Sequence, residues 1–375
     1  LEGIEKRYLD TVRGLLPIEA QAGALSRVKK HLNTLETLLE EAWLIGESTP
    51  KLGDKIVSYG ELLSAFVIAE YYRSQGIQAE FKDSRELIET DNTFGNARVN
   101  QEKTYAKVTA ALQGNTPVVV LPGFIASNAQ GDTTTLGRGG SDNSAALFAG
   151  ALQAAELEKW TDVSGMYTAN PKLVSGARPI PTLSYEEAME LSHFGAKVLY
   201  PPTIRPALQA NIPILIRNTF KPEEPGTRIE VDGNPLGRTV RGISYVPGIA
   251  LLSLEGPGMI GIPGISHRFF EVLWQKEINV VFITQASSEH SICVGILESQ
   301  ASLASEAVNQ AFEREIEKGG ITPVQVEAEL SIVALVGDRM KQHQGLSGRM
   351  FSTLGRNNVN IRAIAQGASE RNISV

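Results

Sequence analysis

The chain has 375 residues, enough for two or three domains, and its 42% hydrophobic and 21% charged content is ordinary for a protein that closes full cores. A net charge of −7 argues against nucleic acid as the main partner, and a single cysteine, Cys293, excludes a disulfide framework and fits a reducing compartment. The five histidines fall at no metal-ligand spacing, no apolar run is long enough for a bilayer and no signal peptide is visible, so the expectation is a cytoplasmic protein with no bound metal and no membrane partner.

In chain order, Leu25, Val28, Leu32, Leu35 and Leu39 step by three and four, which puts them on one helix face; Gly46 and Pro50 mark its end. A second helix is expected over 56–73 and a strand over 77–81. A coil with Asp91, Asn92 and Gly95 precedes a helix over 101–112. The run 118–121 is all apolar, as in a strand covered on both faces, and another strand is expected over 159–163. Helix and strand alternate, which predicts an α/β fold with a mostly parallel sheet.

Residues 133–150 read TTTLGRGGSDNSAALFAG. A glycine-rich loop before a helix exposes backbone N–H groups, and the helix N-terminus adds partial positive charge, so an anion is favoured there. Gly137, Gly139 and Gly140 let the backbone approach a ligand. Arg138 adds a planar fork suited to carboxylate or phosphate, and Ser141, Asp142 or Asn143 can cap the helix. A purely structural turn would use the same residues, since a lone glycine-rich loop is weak evidence. Further on, KPEEPGTRIEVDGNPLG (221–237) reads as a hinge between domains.

Beyond the hinge lies an internal repeat. LEGPGMIGIPGISHRFF (254–270) pairs with LVGDRMKQHQGLSGRMF (335–351), and INVVFITQASSEHSICV (278–294) with VNIRAIAQGASERNISV (359–375). Gly256 and Gly337, Met259 and Met340, Gly264 and Gly345, Arg268 and Arg349, Gln285 and Gln366 are each 81 residues apart. Each copy reads strand, loop, helix, strand, strand, and the first adds a helix over 301–316. That is the beginning of the βαββαβ ferredoxin-like plan.

Four segments, SYGELLSA (58–65), LGRGGSD (136–142), WTDVSGMYTANPK (160–172) and EAMELSHFGAKVLYPPTI (187–204), together resemble aspartokinase, of the amino-acid kinase superfamily. The repeated ITQASSE and IAQGASE resemble its paired ACT domains, nearest in wording to those of the threonine-sensitive bifunctional aspartokinase–homoserine dehydrogenases. The resemblance runs from about residue 50 to the end of the chain. It implies a three-layer αβα amino-acid kinase domain over 1–235, a first ACT domain over 236–322 and a second, incomplete one over 323–375. The implied activity is transfer of the γ-phosphoryl group of Mg2+-bound ATP to the β-carboxylate of L-aspartate, giving 4-phospho-L-aspartate for threonine, lysine and methionine biosynthesis, under threonine feedback.

The resemblance also implies roles. Arg138 would grip a substrate carboxylate and Glu61 would accept the α-ammonium group. Asp142 would orient the ammonium or the metal side of the site, with its capping role compatible, and Thr134 would contact substrate or merely close a strand. Thr161 and Asp162 would end a strand at the nucleotide, Tyr167 would lie against the nucleoside, Lys172 would reach the phosphates and Lys197 would line the adenine pocket. Without the resemblance, Tyr167 reads as a packed aromatic and each lysine as a surface charge. Gln285 and Gln366 would hold the effector, an amide offering both donor and acceptor, and a homodimer or larger assembly is expected.

The family's N-terminal K-F-G-G-T-S segment does not occur here, and the sequence stops at Val375 inside the second ACT copy. The expectation is that these residues alone are inactive or very weak, while the full-length protein is a kinase; whether it also carries a homoserine dehydrogenase half is left open by the sequence. Competing readings are a non-catalytic amino-acid-binding regulator, a kinase of glutamate derivatives, and a dehydrogenase, for which no G-x-G-x-x-G turn is present.

Overall fold

The computed structural model describes residues 1–375 apart from 113–116, 194–197, 201–203, 234–236, 238, 286–289, 338–339, 341–342 and 367–370. The chain forms two compact units: residues 1–162, 199–222 and 228–231 make the first, and 163–198, 223–227 and 232–375 the second. Several of the passages between them fall in the proline- and glycine-rich stretch after residue 221.

The first unit opens with three helices, α1 (Glu2–Leu15), α2 (Ile18–Ile45) and α3 (Pro50–Ser74). Val12, Val28, Leu32, Leu63 and Phe66 close a common core between them. Helix α2 stops at Gly46, which takes the left-handed conformation (φ 70°) that costs a residue without Cβ little. Helix α3 starts earlier than the apolar periodicity indicates, because Pro50 opens it: Thr49 is the N-cap and its hydroxyl accepts from the Leu52 N–H at 3.2 Å, with proline at the first helical position where its missing N–H is harmless.

The chain continues through β1 (Ala79–Phe81), α4 (Ser84–Leu87), β2 (Glu89–Thr90), α5 (Gln101–Leu112), β3 (Val118–Val120), β4 (Ile125–Asn128), β5 (Thr133–Thr135), α6 (Gly140–Leu152) and β6 (Leu157–Thr161). It visits the second unit with β7 (Thr182–Ser184) and α7 (Tyr185–His193), then returns with α8 (Arg205–Gln209), β8 (Ile214–Asn218) and β9 (Thr227–Glu230). Strands β1 and β3 pair parallel, as do β2 and β4, and β6 and β8, while β5 runs antiparallel to β4. The mixed α/β class follows from this alternation. Strand β3 is half-buried rather than covered on both faces, and β1 is its one hydrogen-bonded neighbour among the described strands.

The second unit is dominated by β10 (Gly242–Glu255), α9 (Ile265–Gln275), β11 (Val280–Gln285), β12 (Ser291–Leu297), α10 (Ala301–Ala311), α11 (Glu313–Glu317), β13 (Gln325–Val336), α12 (Leu346–Arg356), β14 (Ala365–Gln366) and β15 (Asn372–Ser374). Their sheet has the order β11-β12-β10-β13-β15-β14, a palindrome about the β10–β13 pair. Reading β10, β11, β12 and β13 as strands one to four gives 2-3-1-4, the ferredoxin-like order. The same order emerges from β13, β14 and β15 with β10 in fourth place. Each long strand is therefore first strand of one copy and last strand of the other: Ile249 to Ser253 face Gln325 to Leu330, and Gly242 to Pro247 face Ser331 to Val336. The expected single helix over 301–316 is two, α10 and α11, separated at the fully buried Phe312.

The repeat extends to the backbone. Left-handed residues recur 81 positions apart: Gly248 and Glu329 (φ 69° and 59°), Gly264 and Gly345 (92° and 84°), Glu277 and Asn358 (55° and 58°). Gly264 and Gly345 are the N-caps of α9 and α12, and Met259 and Met340 are buried alike at 4% and 5% exposure. Gly248 and Glu329 sit where the β10–β13 register shifts, a bulge that bends both long strands at their midpoints. Only one of the two is glycine, so Glu329→Gly should stabilise the unit by up to about 1 kcal/mol while Gly248→Ala should destabilise it by a similar amount; urea-denaturation midpoints read both signs.

Among the described residues no helix is long and apolar enough to cross a membrane.

Candidate active site

In the first unit the site is built from the middle of α3, the loop 91–97 and the passage from β5 into α6. Asp54 on α3 is buried at 4% exposure. Its Oδ2 accepts from the Gly95 N–H (2.9 Å) and the Thr135 N–H (3.0 Å), and its Oδ1 from the Thr135 hydroxyl (2.8 Å). The Thr135 carbonyl in turn accepts from the Ala97 N–H at 2.8 Å. Helix, loop and strand are thus tied together three residues before Arg138.

The loop then turns on Gly137 (φ 67°), where a Cβ would lie 2.6 Å from Asn96 Oδ1. Phe124 is left-handed at φ 67° without being glycine. It is held there by its N–H donating to Ser144 Oγ (3.0 Å) and its carbonyl accepting from the Leu136 N–H (2.9 Å). Its ring approaches Gly140 so closely that a Cβ there would stand 2.7 Å from Phe124 Cδ2. Strained residues held by several contacts gather at functional sites.

The capping expectation is corrected. Gly139 (φ 70°) is the N-cap of α6 and no side chain bonds the helix terminus; the helix begins at Gly140, so Ser141, Asp142 and Asn143 already lie inside it. Among the described residues no side chain caps this helix end by a hydrogen bond, and uncapped N–H groups at a helix N-terminus suit an anion. Asp142 instead pairs with Lys159 of β6, a lysine that sequence reasoning missed because an isolated cation on a strand reads as a surface charge.

Arg138 is exposed, and its guanidinium lies 5.4 Å from the ring centroid of Tyr200, within cation–π range. Among the described residues it has no carboxylate partner, so its fork is free to take one. Glu61 is half-buried on α3, and burial raises its carboxyl above the usual range; burial first, and the Glu61 charge second, raise the Tyr8 phenol. Glu61 and Arg138 make no ion pair with each other. Thr134 is fully buried, with its hydroxyl 2.7 Å from that of Thr90. A hydroxyl with no exposed surface favours the second of the two readings of Thr134, a threonine that closes the strand.

Thr161 ends β6 with its hydroxyl donating to Asp162 Oδ1 at 3.2 Å, and Asp162 is exposed. Tyr167 and Lys172 belong to the second unit. Tyr167 is half-buried, bridged through its backbone to Pro179, and Lys172 is exposed. Lys197 lies outside the described residues. Gln285 and Gln366 are both exposed at the ends of β11 and β14, opposite Ile292 and Ile373 respectively. The hydroxyl of Thr284, beside Gln285, donates to the Ile364 carbonyl at 3.2 Å, so the outer strands of the two copies meet next to the paired glutamines.

The first unit thus presents a glycine-lined helix N-terminus beside a guanidinium that has no carboxylate partner among the described residues, and the second a duplicated ferredoxin-like unit. Accordingly, the amino acid kinase family model matches residues 4–218 and an ACT domain model matches 252–312 and 333–375. The chain belongs to the amino acid kinase family, in its ACT-bearing aspartokinase branch. It is 38% identical over its whole length to bifunctional aspartokinase/homoserine dehydrogenase 1 of Arabidopsis thaliana, a chloroplastic protein, and spans 42% of that relative. It is 35% identical to lysine-sensitive aspartokinase 3 of Escherichia coli, with 90% of this chain and 76% of that protein covered. Of solved structures, E. coli aspartokinase III in complex with aspartate and ADP superposes with a TM-score of 0.78 at 31% identity, covering 98% of this chain and 82% of that one. The Clostridium acetobutylicum aspartate kinase does so with a TM-score of 0.78 at 28% identity, covering 100% and 79%.

Proposed function

We propose that the protein carrying this chain is an aspartate kinase, moving the γ-phosphoryl group of ATP to the β-carboxylate of L-aspartate to give 4-phospho-L-aspartate. The observation that carries the reading is the free Arg138 fork at the open N-terminus of α6. Phosphoryl transfer asks a protein for positioning and charge neutralisation more than for covalent chemistry. Arg138 grips a substrate carboxylate, Glu61 accepts the ammonium group, and the α6 amides with the Lys159–Asp142 pair face the negative charge that builds up during transfer. Thr161, Asp162, Tyr167, Lys172 and Lys197 serve the nucleotide. Mg2+ would enter with the substrate phosphates, and Asp142 would orient the ammonium group or the metal side of the site. Aspartate-dependent ADP release by the protein in its natural reading frame tests the reading. Calorimetric binding of threonine or lysine with no binding of Mg2+–ATP or aspartate would replace it with a non-catalytic regulator.

In the same reading threonine is the feedback effector, bound near Gln285 and Gln366, acting through different affinities for two states of the enzyme, in a homodimer or larger assembly in a reducing cytoplasmic compartment. The two glutamines supply matched amides at the meeting of β11 and β14. Gln285→Ala and Gln366→Ala should each raise the threonine concentration for half-inhibition by about 3- to 10-fold, the worth of one or two hydrogen bonds. Unchanged inhibition curves for both variants would remove threonine from this place.

A further inference from the structure

We propose that Asp54 is a positioning residue: its buried carboxylate holds loop 91–97 and the end of β5 in the arrangement from which Arg138 reaches the carboxylate substrate. The inference rests on the kinase reading above and adds to it a residue that touches neither substrate nor nucleotide.

The geometry is specific. Asp54 is buried at 4% exposure, and burying a carboxylate is costly unless its oxygens are satisfied. Among the described residues every hydrogen bond to it comes from the two segments that wall the glycine turn: Gly95 N–H, Thr135 N–H and Thr135 Oγ1, at 2.9, 3.0 and 2.8 Å. Thr135 is gripped from the other side as well, through the 2.8 Å bond from Ala97 N–H to its carbonyl. Asn96, between these anchors, stands against Gly137. Arg138 follows Gly137 directly, so a shift of either wall moves the origin of the guanidinium. A shifted guanidinium loses part of its two-pronged grip on the substrate carboxylate, and the KM for that substrate reads the loss. A residue that only stapled the fold would have no reason to place all of its bonds on these two walls.

The substitutions separate geometry from charge. Asp54→Asn can rebuild all three bonds, its amide oxygen accepting the two backbone N–H groups and its NH2 donating to a rotated Thr135 hydroxyl. Asp54→Ala leaves two buried N–H groups without an acceptor. With the full-length protein and ADP release as readout, Asp54→Ala should raise the KM for L-aspartate about tenfold with the KM for ATP within about twofold, while Asp54→Asn stays within about threefold of wild type on both. Calorimetric titration with L-aspartate should show the same loss for Asp54→Ala. Thr135→Val, which keeps the backbone N–H bond and removes the hydroxyl, should shift the aspartate KM in the same direction by a smaller factor, and it serves where Asp54→Ala fails to fold.

A fall in kcat with both KM values unchanged would mean lost active protein alone and would overturn the proposal. So would an Asp54→Asn as impaired as Asp54→Ala, which would assign the effect to charge. A wild type that releases no ADP with aspartate overturns the kinase reading itself, and this inference with it, whereas an active wild type with an unmoved aspartate KM in Asp54→Ala and Thr135→Val overturns this inference alone.

Discussion

Replacing Arg138 by alanine should lower kcat/KM for L-aspartate by about 100- to 1000-fold, the loss of roughly 3–4 kcal/mol that accompanies removal of a charge-assisted, bidentate contact. The side chain is exposed and without a carboxylate partner among the described residues, so its removal breaks no internal ion pair and fold stability should change little. That separates the result from a folding defect: the denaturation midpoint should stay put while the kinetics collapse. Arg138→Lys keeps the charge and gives up the planar fork and its place over the Tyr200 ring, 5.4 Å away. It should recover only part of the activity, because a point charge does not replace a two-pronged donor. Initial-rate measurements across an aspartate series check both variants. Wild-type kinetics for Arg138→Ala would move substrate recognition elsewhere.

The second large effect is on stability. Glu187 is fully buried and Arg241 is 7% exposed, with Nε and Oε1 3.2 Å apart. The carboxylate also completes a capping box at the start of α7: Ser184 Oγ accepts from the Glu187 N–H (3.1 Å) and Glu187 Oε2 accepts from the Ser184 N–H (2.9 Å). The guanidinium reaches the carbonyls of Thr182 and Gly233 as well. Breaking a buried pair on one side strands the other charge and costs about 3–5 kcal/mol. Glu187→Gln keeps the reciprocal cap, since glutamine serves there too, yet leaves Arg241 without its counter-charge. It should therefore lose most of that amount, and Glu187→Ala should lose about 1 kcal/mol more for the cap. Guanidinium-denaturation curves of the three proteins give the ranking. Near-equal midpoints for wild type and Glu187→Gln would mean that the pair contributes no net stability.

Much of the architecture was legible before any coordinates, for reasons local to the chain. The span of α5 and the end of α2 at Gly46 follow from periodicity and one glycine. The duplication was legible because its offset never drifts, and the structure repeats that offset in left-handed residues as unlike as Gly248 and Glu329. What stayed hidden depends on contacts between distant segments. Asp54 lies in IVSYGELLSA's helix and reads as a solvated charge until Gly95 and Thr135 arrive beside it. Lys159 acquires meaning only through Asp142, and the strain at Phe124 only through Ser144 and Leu136. Nor does anything in the sequence say that β10 and β13 each belong to both repeats, since strand sharing is a matter of register across the whole sheet. Thr134 was open for the opposite reason: a threonine run beside a glycine loop suits ligand contact and strand closure alike, and only burial shows that this hydroxyl meets Thr90.

Because β10 and β13 each run through both repeats, the two ferredoxin-like halves are interlocked like rails laid through adjoining stations. Neither can be excised as a free-standing module, and the pair should melt as a single cooperative block.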